Sequence, residues 1–123
     1  MKLDYNCIRH ILLSTEKLDD SKITTELLSD ESYSSKTISE HIKCLLDVDY
    51  IEVSGPIRTM RSEYDGYIIH RLTMQGHQYL DSVRDDAVWK KTLRTIGSKT
   101  TSISLDIVKE VATSFIKASL GLS

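Results

Sequence analysis

At 123 residues the chain has the size of one domain, long enough to bury a core without metal or disulfide staples. Hydrophobic residues make up 40% and charged residues 28%, a balance that excludes a disordered chain, and no apolar run approaches the roughly eighteen residues of a membrane span. The net charge of −2 excludes a protein that is basic throughout, so any nucleic-acid contact has to rest on a local patch. The opening MKLDYNCIRH carries no apolar run of signal-peptide length, and Cys7 and Cys44 lack metal-type spacing. Free cysteines of this kind lead us to expect a reducing, cytoplasmic setting.

One proline and five glycines favour long helices. A first helix is predicted from Asp4 to Glu16, with Asp4 as its cap and Tyr5, Ile8, Ile11 and Leu12 recurring along one face. Lys17–Ser21 is a polar break. Lys22–Leu28 follows as a short segment whose β-branched residues weaken its helical character, and Ser29–Ser35 is a turn rich in caps. The next helix, Lys36 to Val48, is the clearest: Ile38, Ile42, Leu45 and Leu46 make a compact stripe, and Ser34 or Ser35 caps it.

Tyr50–Val53 alternates as a strand, Gly55-Pro56 punctuates it, Tyr64-Asp65-Gly66 turns the chain, and Tyr67–Leu72 returns. That pattern predicts a β-hairpin with a long tip between Ser54 and Gly66. Thr73 caps a further helix that passes through Asp85–Trp89 and stops at Gly97. Leu80, Val83 and Ala87 share one face of it, whereas Trp89, Leu93 and Ile96 lie on the opposite one. Such a helix either bends near Asp86 or is covered on both sides. A closing helix from Ser104 to Leu120 has a broad apolar arc including Ile107, Val111, Ala112, Phe115 and Ile116, and Gly121 ends it.

Helix, short segment, helix and hairpin is the order of a winged helix-turn-helix. We therefore expect a mainly α fold with a small β-hairpin and a C-terminal helical extension. It would be one domain over residues 1–123, with helices and wing in 1–72 and further helices in 73–123.

Three stretches carry a resemblance. Ser39–Val53 (SEHIKCLLDVDYIEV) resembles the recognition-helix-into-wing passage of winged-helix regulators. Arg71–Lys91 (RLTMQGHQYLDSVRDDAVWKK) resembles the domain of unknown function 2513 family of bacterial and phage proteins, and Ser102–Leu122 is similar to that family's closing helix. Asp49 departs from the glycine common before the wing in such proteins, but aspartate tolerates the left-handed conformation the turn needs. The resemblance implies a winged-helix fold in a phage or mobile-element setting, and it carries no activity and no site residues.

In this fold the third helix enters the major groove and the hairpin tip lies along the backbone or minor groove. The face opposite Ile38 and Ile42 presents Lys36, Thr37, Glu40, Lys43, Cys44 and Asp47, with Ser39 on its flank. Lys36, Thr37, Ser39 and Lys43 are the candidates for phosphate and base contacts. Yet Lys36–Glu40 and Lys43–Asp47 have the spacing of ordinary surface ion pairs, which leaves the helix neutral. The hairpin adds Arg58, Arg61 and Arg71 against Glu63 and Asp65, with Arg58 and Arg61 near its tip. Lys90, Lys91, Arg94 and Lys99 form a second basic cluster, equally well explained by the dipole of a helix end. Residues 1–33 oppose these with seven acidic groups against four basic ones.

His77, Asp81 and Asp85 share a helix face but lack a further ligand, so they read as a surface network with Arg84, and no metal, cofactor or catalytic role is expected. His41 reads as a half-buried packing residue, and His70 as a strand residue facing solvent or DNA. The expected partner is double-stranded DNA or, alternatively, a host or phage protein that this scaffold engages without DNA. No membrane contact is expected. The wide arc of the closing helix is satisfied either within a monomer or in a homodimer.

Overall fold

Asp4 starts the first helix: its carboxylate accepts the Cys7 N–H at 3.1 Å, one of the donors a helix start leaves without an internal partner. The computed structural model describes residues 2–18, 23–58, 60–97 and 103–122. Its elements run α1 (Tyr5–Lys17), β1 (Ile23–Thr24), α2 (Thr25–Leu28), α3 (Ser35–Asp47), β2 (Ile51–Ile57), β3 (Gly66–Leu72), α4 (Met74–Val83), α5 (Asp86–Gly97) and α6 (Leu105–Ser119). The protein is mainly helical with one small three-stranded antiparallel sheet, in the order β1-β3-β2. None of the described helices is long and apolar enough to cross a membrane. The chain divides into two compact units, Leu3–His77 and Gln78–Ser123.

In the first unit, Ile8, Ile11 and Leu12 of α1, Leu28 of α2, and Ile38, Ile42 and Leu45 of α3 are all buried, as the helical spacing requires. Ile51, Tyr67, Ile69 and Leu72 supply the inward face of the hairpin. Segment 23–28 holds a strand that periodicity does not reveal: Ile23 and Thr24 pair with Ile69 and Ile68 before Thr24 caps α2 through the Leu27 N–H. Gly55-Pro56 does not end β2. The strand bulges there and continues to Ile57, so the loop is shorter than expected, from Arg58 to Asp65. Proline is tolerated because β2 is an edge strand, and Gly55 takes φ +123°, which a side chain resists.

Asp49 ends α3 in the left-handed conformation, φ 58°, the one that the family resemblance implies for this turn. The Tyr50 N–H returns to the Leu45 carbonyl at 3.0 Å and the Asp49 N–H to that of Leu46 at 3.1 Å, the paired closure usually built on glycine. The same turn positions α4. Thr73 donates its N–H to the Tyr50 carbonyl at 2.9 Å and its hydroxyl to the Asp49 carbonyl at 2.5 Å, while its Oγ1 accepts the Gly76 N–H at 3.1 Å.

The helix expected to run on from Thr73 to Gly97 is two helices. Asp85 interrupts it and caps α5, accepting the Val88 N–H at 2.9 Å. Leu80 and Val83 are buried, and so are Trp89 and Ile96, but Ala87 beside the break is exposed. Ser104 caps α6, and Gly121 closes it at φ 75° with the Leu122 N–H on the Lys117 carbonyl at 2.7 Å.

Gly76 sits where a β-carbon would lie 2.1 Å from the Tyr50 carbonyl oxygen, a backbone atom that cannot swing away. Gly76→Ala is therefore expected to cost about 3 kcal/mol or more, read as a drop in thermal midpoint. Gly97, in α5, has nothing within 4 Å of such a carbon, so Gly97→Ala should be neutral or stabilise by up to about 1 kcal/mol.

Candidate nucleic-acid interface

Asp65, two residues before the inward-facing Tyr67 of β3, joins the hairpin loop to α3. Its main-chain carbonyl accepts the Ser39 hydroxyl at 2.6 Å. Its carboxylate takes Lys43 Nζ at 2.9 Å on one oxygen and Arg58 Nε at 2.7 Å on the other. The two cations hold the Asp65 carboxyl below the usual aspartate range, Lys43 contributing most, and the same bond raises the Lys43 ammonium. Only 14% of the Asp65 side chain is exposed, against 49% for Lys43 and 76% for Arg58. The acid lies beneath and the cations lie outermost.

Beside this junction is an open cleft of about 630 Å³ between the start of α3 and the loop. Lys36 and Arg61 line it, opposed by Glu26 and Glu63, over an apolar floor that includes Ile57 and Ile68. Tyr64 donates its hydroxyl to Glu26 at 2.6 Å, which raises the phenol above its ordinary range. Thr25 Oγ1 accepts the Tyr67 N–H at 2.9 Å, so the base of the hairpin is also held from α2.

The expected DNA-contacting residues divide accordingly. Lys36 and Arg61 are exposed on the cleft, and Lys43 and Arg58 meet over Asp65. Thr37 is half-buried beside the Ser34 cap, whose hydroxyl donates to it at 3.1 Å. Ser39 is a correction: it is 1% exposed and its hydroxyl is spent on Asp65, so it cannot reach a nucleic acid. Lys43 pairs with Asp65 rather than with Asp47, because the loop brings a carboxylate nearer than the helix does. Arg71 is gripped by both oxygens of its cross-strand neighbour Glu52, at 2.7 and 2.9 Å, which removes it from the hairpin's surplus charge.

Asp65 is the residue that sequence reasoning missed. Its Tyr-Asp-Gly context reads as a turn, and nothing local announces two cations from elsewhere. His41 is fully rather than half buried, with Nε2 accepting the Asp4 N–H at 2.9 Å and Nδ1 donating to the Thr37 carbonyl at 2.8 Å. His70 is exposed, with Nε2 2.6 Å from the Ser54 hydroxyl. On α4, Asp81 is engaged by Arg84 at 2.8 Å, and among the described residues no three His, Cys, Asp or Glu side chains gather as a metal ion needs. Cys7 is buried and its thiol is pushed up to about 12, by burial first and then by Asp4 and Asp30. Of the second basic cluster, Lys90, Lys91 and Arg94 are exposed on α5, and Lys99 lies outside the described residues.

Because the folded state holds Asp65 below its unfolded pKa, its contribution is complete at neutral pH and is lost as pH falls through the carboxylate range. Amide exchange in the loop should therefore accelerate below about pH 4. In Asp65→Asn that acid step should be absent and the loop should exchange faster at neutral pH. An unchanged acid limb in the variant would assign the step to another carboxylate.

The Haemophilus influenzae protein described as "Uncharacterized protein" is 36% identical over 122 residues, which span 98% of this chain and 99% of that one. No solved structure matches the chain significantly. The family described as "Hypothetical protein (DUF2513)" matches residues 2–102, a span that ends before α6. The chain belongs to that family.

Proposed function

We propose that the protein is a DNA-binding, regulator-like winged-helix protein rather than an enzyme, in the phage or mobile-element setting that the family resemblance implies. One observation carries the reading: Lys43 of α3 and Arg58 of the hairpin lie over a shared, nearly covered Asp65, so helix and wing act as one body with its cations outermost. A duplex backbone meets such a surface through phosphate contacts from Arg58, Arg61 and Lys43. Lys36 and Thr37, at the start of α3, are then the side chains nearest base edges, as in helix-turn-helix docking. Ser39 has no part in readout.

The charge-balanced cleft favours a second reading. Glu26 and Glu63 offset Lys36 and Arg61, a pattern suited to a protein partner with both signs of charge, such as the target of an adaptor or host-factor inhibitor.

The two separate in a gel-retardation series on duplex DNA at stepped salt. A DNA binder loses affinity steeply with salt, and each phosphate contact removed lowers the log–log slope by about 1. Arg58→Glu with Arg61→Glu should weaken retardation at least tenfold and flatten the slope by about 2. Retardation that ignores the double reversal removes the wing assignment. No retardation at low salt removes the DNA reading and leaves the protein partner.

A further inference from the structure

Helix α6 has a buried apolar face and, beside it, a mixed stripe of branched and small side chains. Leu105, Val108 and Ala112 are buried. About 120° round the helix, by the hundred-degree step, a second stripe runs through Ile107, Val111, Ser114 and Ala118. Ile107 is 49% exposed, Val111 is half-buried, and Ser114 and Ala118 are exposed. The intervals of four, three and four residues are those of a seam between two paired helices.

We propose that this seam pairs, antiparallel, with the same seam of a second copy of the chain, about a two-fold axis level with Val111 and Ser114. In a two-fold contact, if one residue meets another, the reverse meeting also occurs. The register sets Val111 against Ser114 of the second copy and Ile107 against its Ala118. Each layer therefore matches a branched side chain to a small one, as interdigitating cores do.

Charge chooses the orientation. Glu110 and Lys117 are both exposed and lie seven residues apart, on the same flank of the seam. Antiparallel pairing brings Glu110 to Lys117 of the second copy and Lys117 to its Glu110, giving two ion pairs. In a parallel pair Glu110 would face Phe115 and gain no opposite charge. This inference does not rest on DNA binding and is tested apart from it.

The test is the mass of the full chain by sedimentation equilibrium over a concentration series. The expected result is twice the 14.0 kDa chain mass at the upper concentrations. Glu110→Lys sets lysine against lysine and Lys117→Glu sets glutamate against glutamate, so each alone should weaken self-association at least tenfold. An equimolar mixture of the two variants should restore the pair, since each then meets its opposite charge. Both sites are exposed, and an unchanged far-ultraviolet spectrum confirms that the fold is retained. A single-chain mass at every concentration overturns the proposal. So does a dimer indifferent to both reversals, or a mixture that stays monomeric.

Discussion

One residue of the hairpin loop couples the hairpin to α3. Asp65 does so through two kinds of bond with different physics. The Ser39 hydroxyl on its main-chain carbonyl is a neutral contact made by a buried side chain, worth roughly 1 kcal/mol and insensitive to salt. The Lys43 and Arg58 pairs are made by exposed cations, contribute little stability each, and weaken as salt rises. The hydroxyl fixes where the loop lies, and the charged pairs fix which way the cations point. Thr25, holding the Tyr67 N–H, secures the other side of the hairpin base, so the hairpin does not hang on its two strands alone.

A comparable economy of parts governs the end of α3. The Asp49 left-handed turn delivers Tyr50 into the core and aims its carbonyl at Thr73, which begins α4. Gly76 lets that helix approach to a distance no side chain allows. Helix end, strand start and next helix start are thus one hydrogen-bonded knot. It keeps the base of β2 in place whatever occurs at the far end of the hairpin.

Features encoded locally were legible in the sequence. The stripe of Ile38, Ile42 and Leu45 and the Asp4, Ser34 and Thr73 caps each follow from a few neighbouring residues, whereas the left-handed turn at Asp49 followed from the family resemblance. The reversal of apolar face near Asp86 left a bend or two-sided burial of one helix open, and the chain instead starts a second helix with a new cap at Asp85. What escaped depends on distant partners. β1 is two residues long, too short for a periodic signal, and exists because β3 offers an edge to pair with. Gly55-Pro56 reads as a stop but is absorbed as a bulge in an edge strand. Ser39 is polar and lies on the flank of an exposed face, yet the loop folds over it. Of the candidate contacts, Lys36, Arg58, Arg61 and Lys43 are at the surface as read, whereas their arrangement about Asp65 needed the fold.

Shared counter-charge also shapes how such a surface would meet a polyanion. Arg58 presents only its Nε to Asp65 in the ion pair, and a guanidinium has four further N–H donors. Lys43 likewise has donors beyond the one that Asp65 receives. The acid therefore orients the cations without using up their hydrogen bonds. It does reduce their net charge, so two cations and one carboxylate together attract a phosphate chain about as strongly as a single charge would. Weak general attraction beside well-oriented donors is the combination in which binding depends on the geometry of the duplex rather than on its charge alone. A chain of net charge −2 can bind DNA selectively only on those terms, because it lacks the diffuse positive field that holds basic proteins on any sequence.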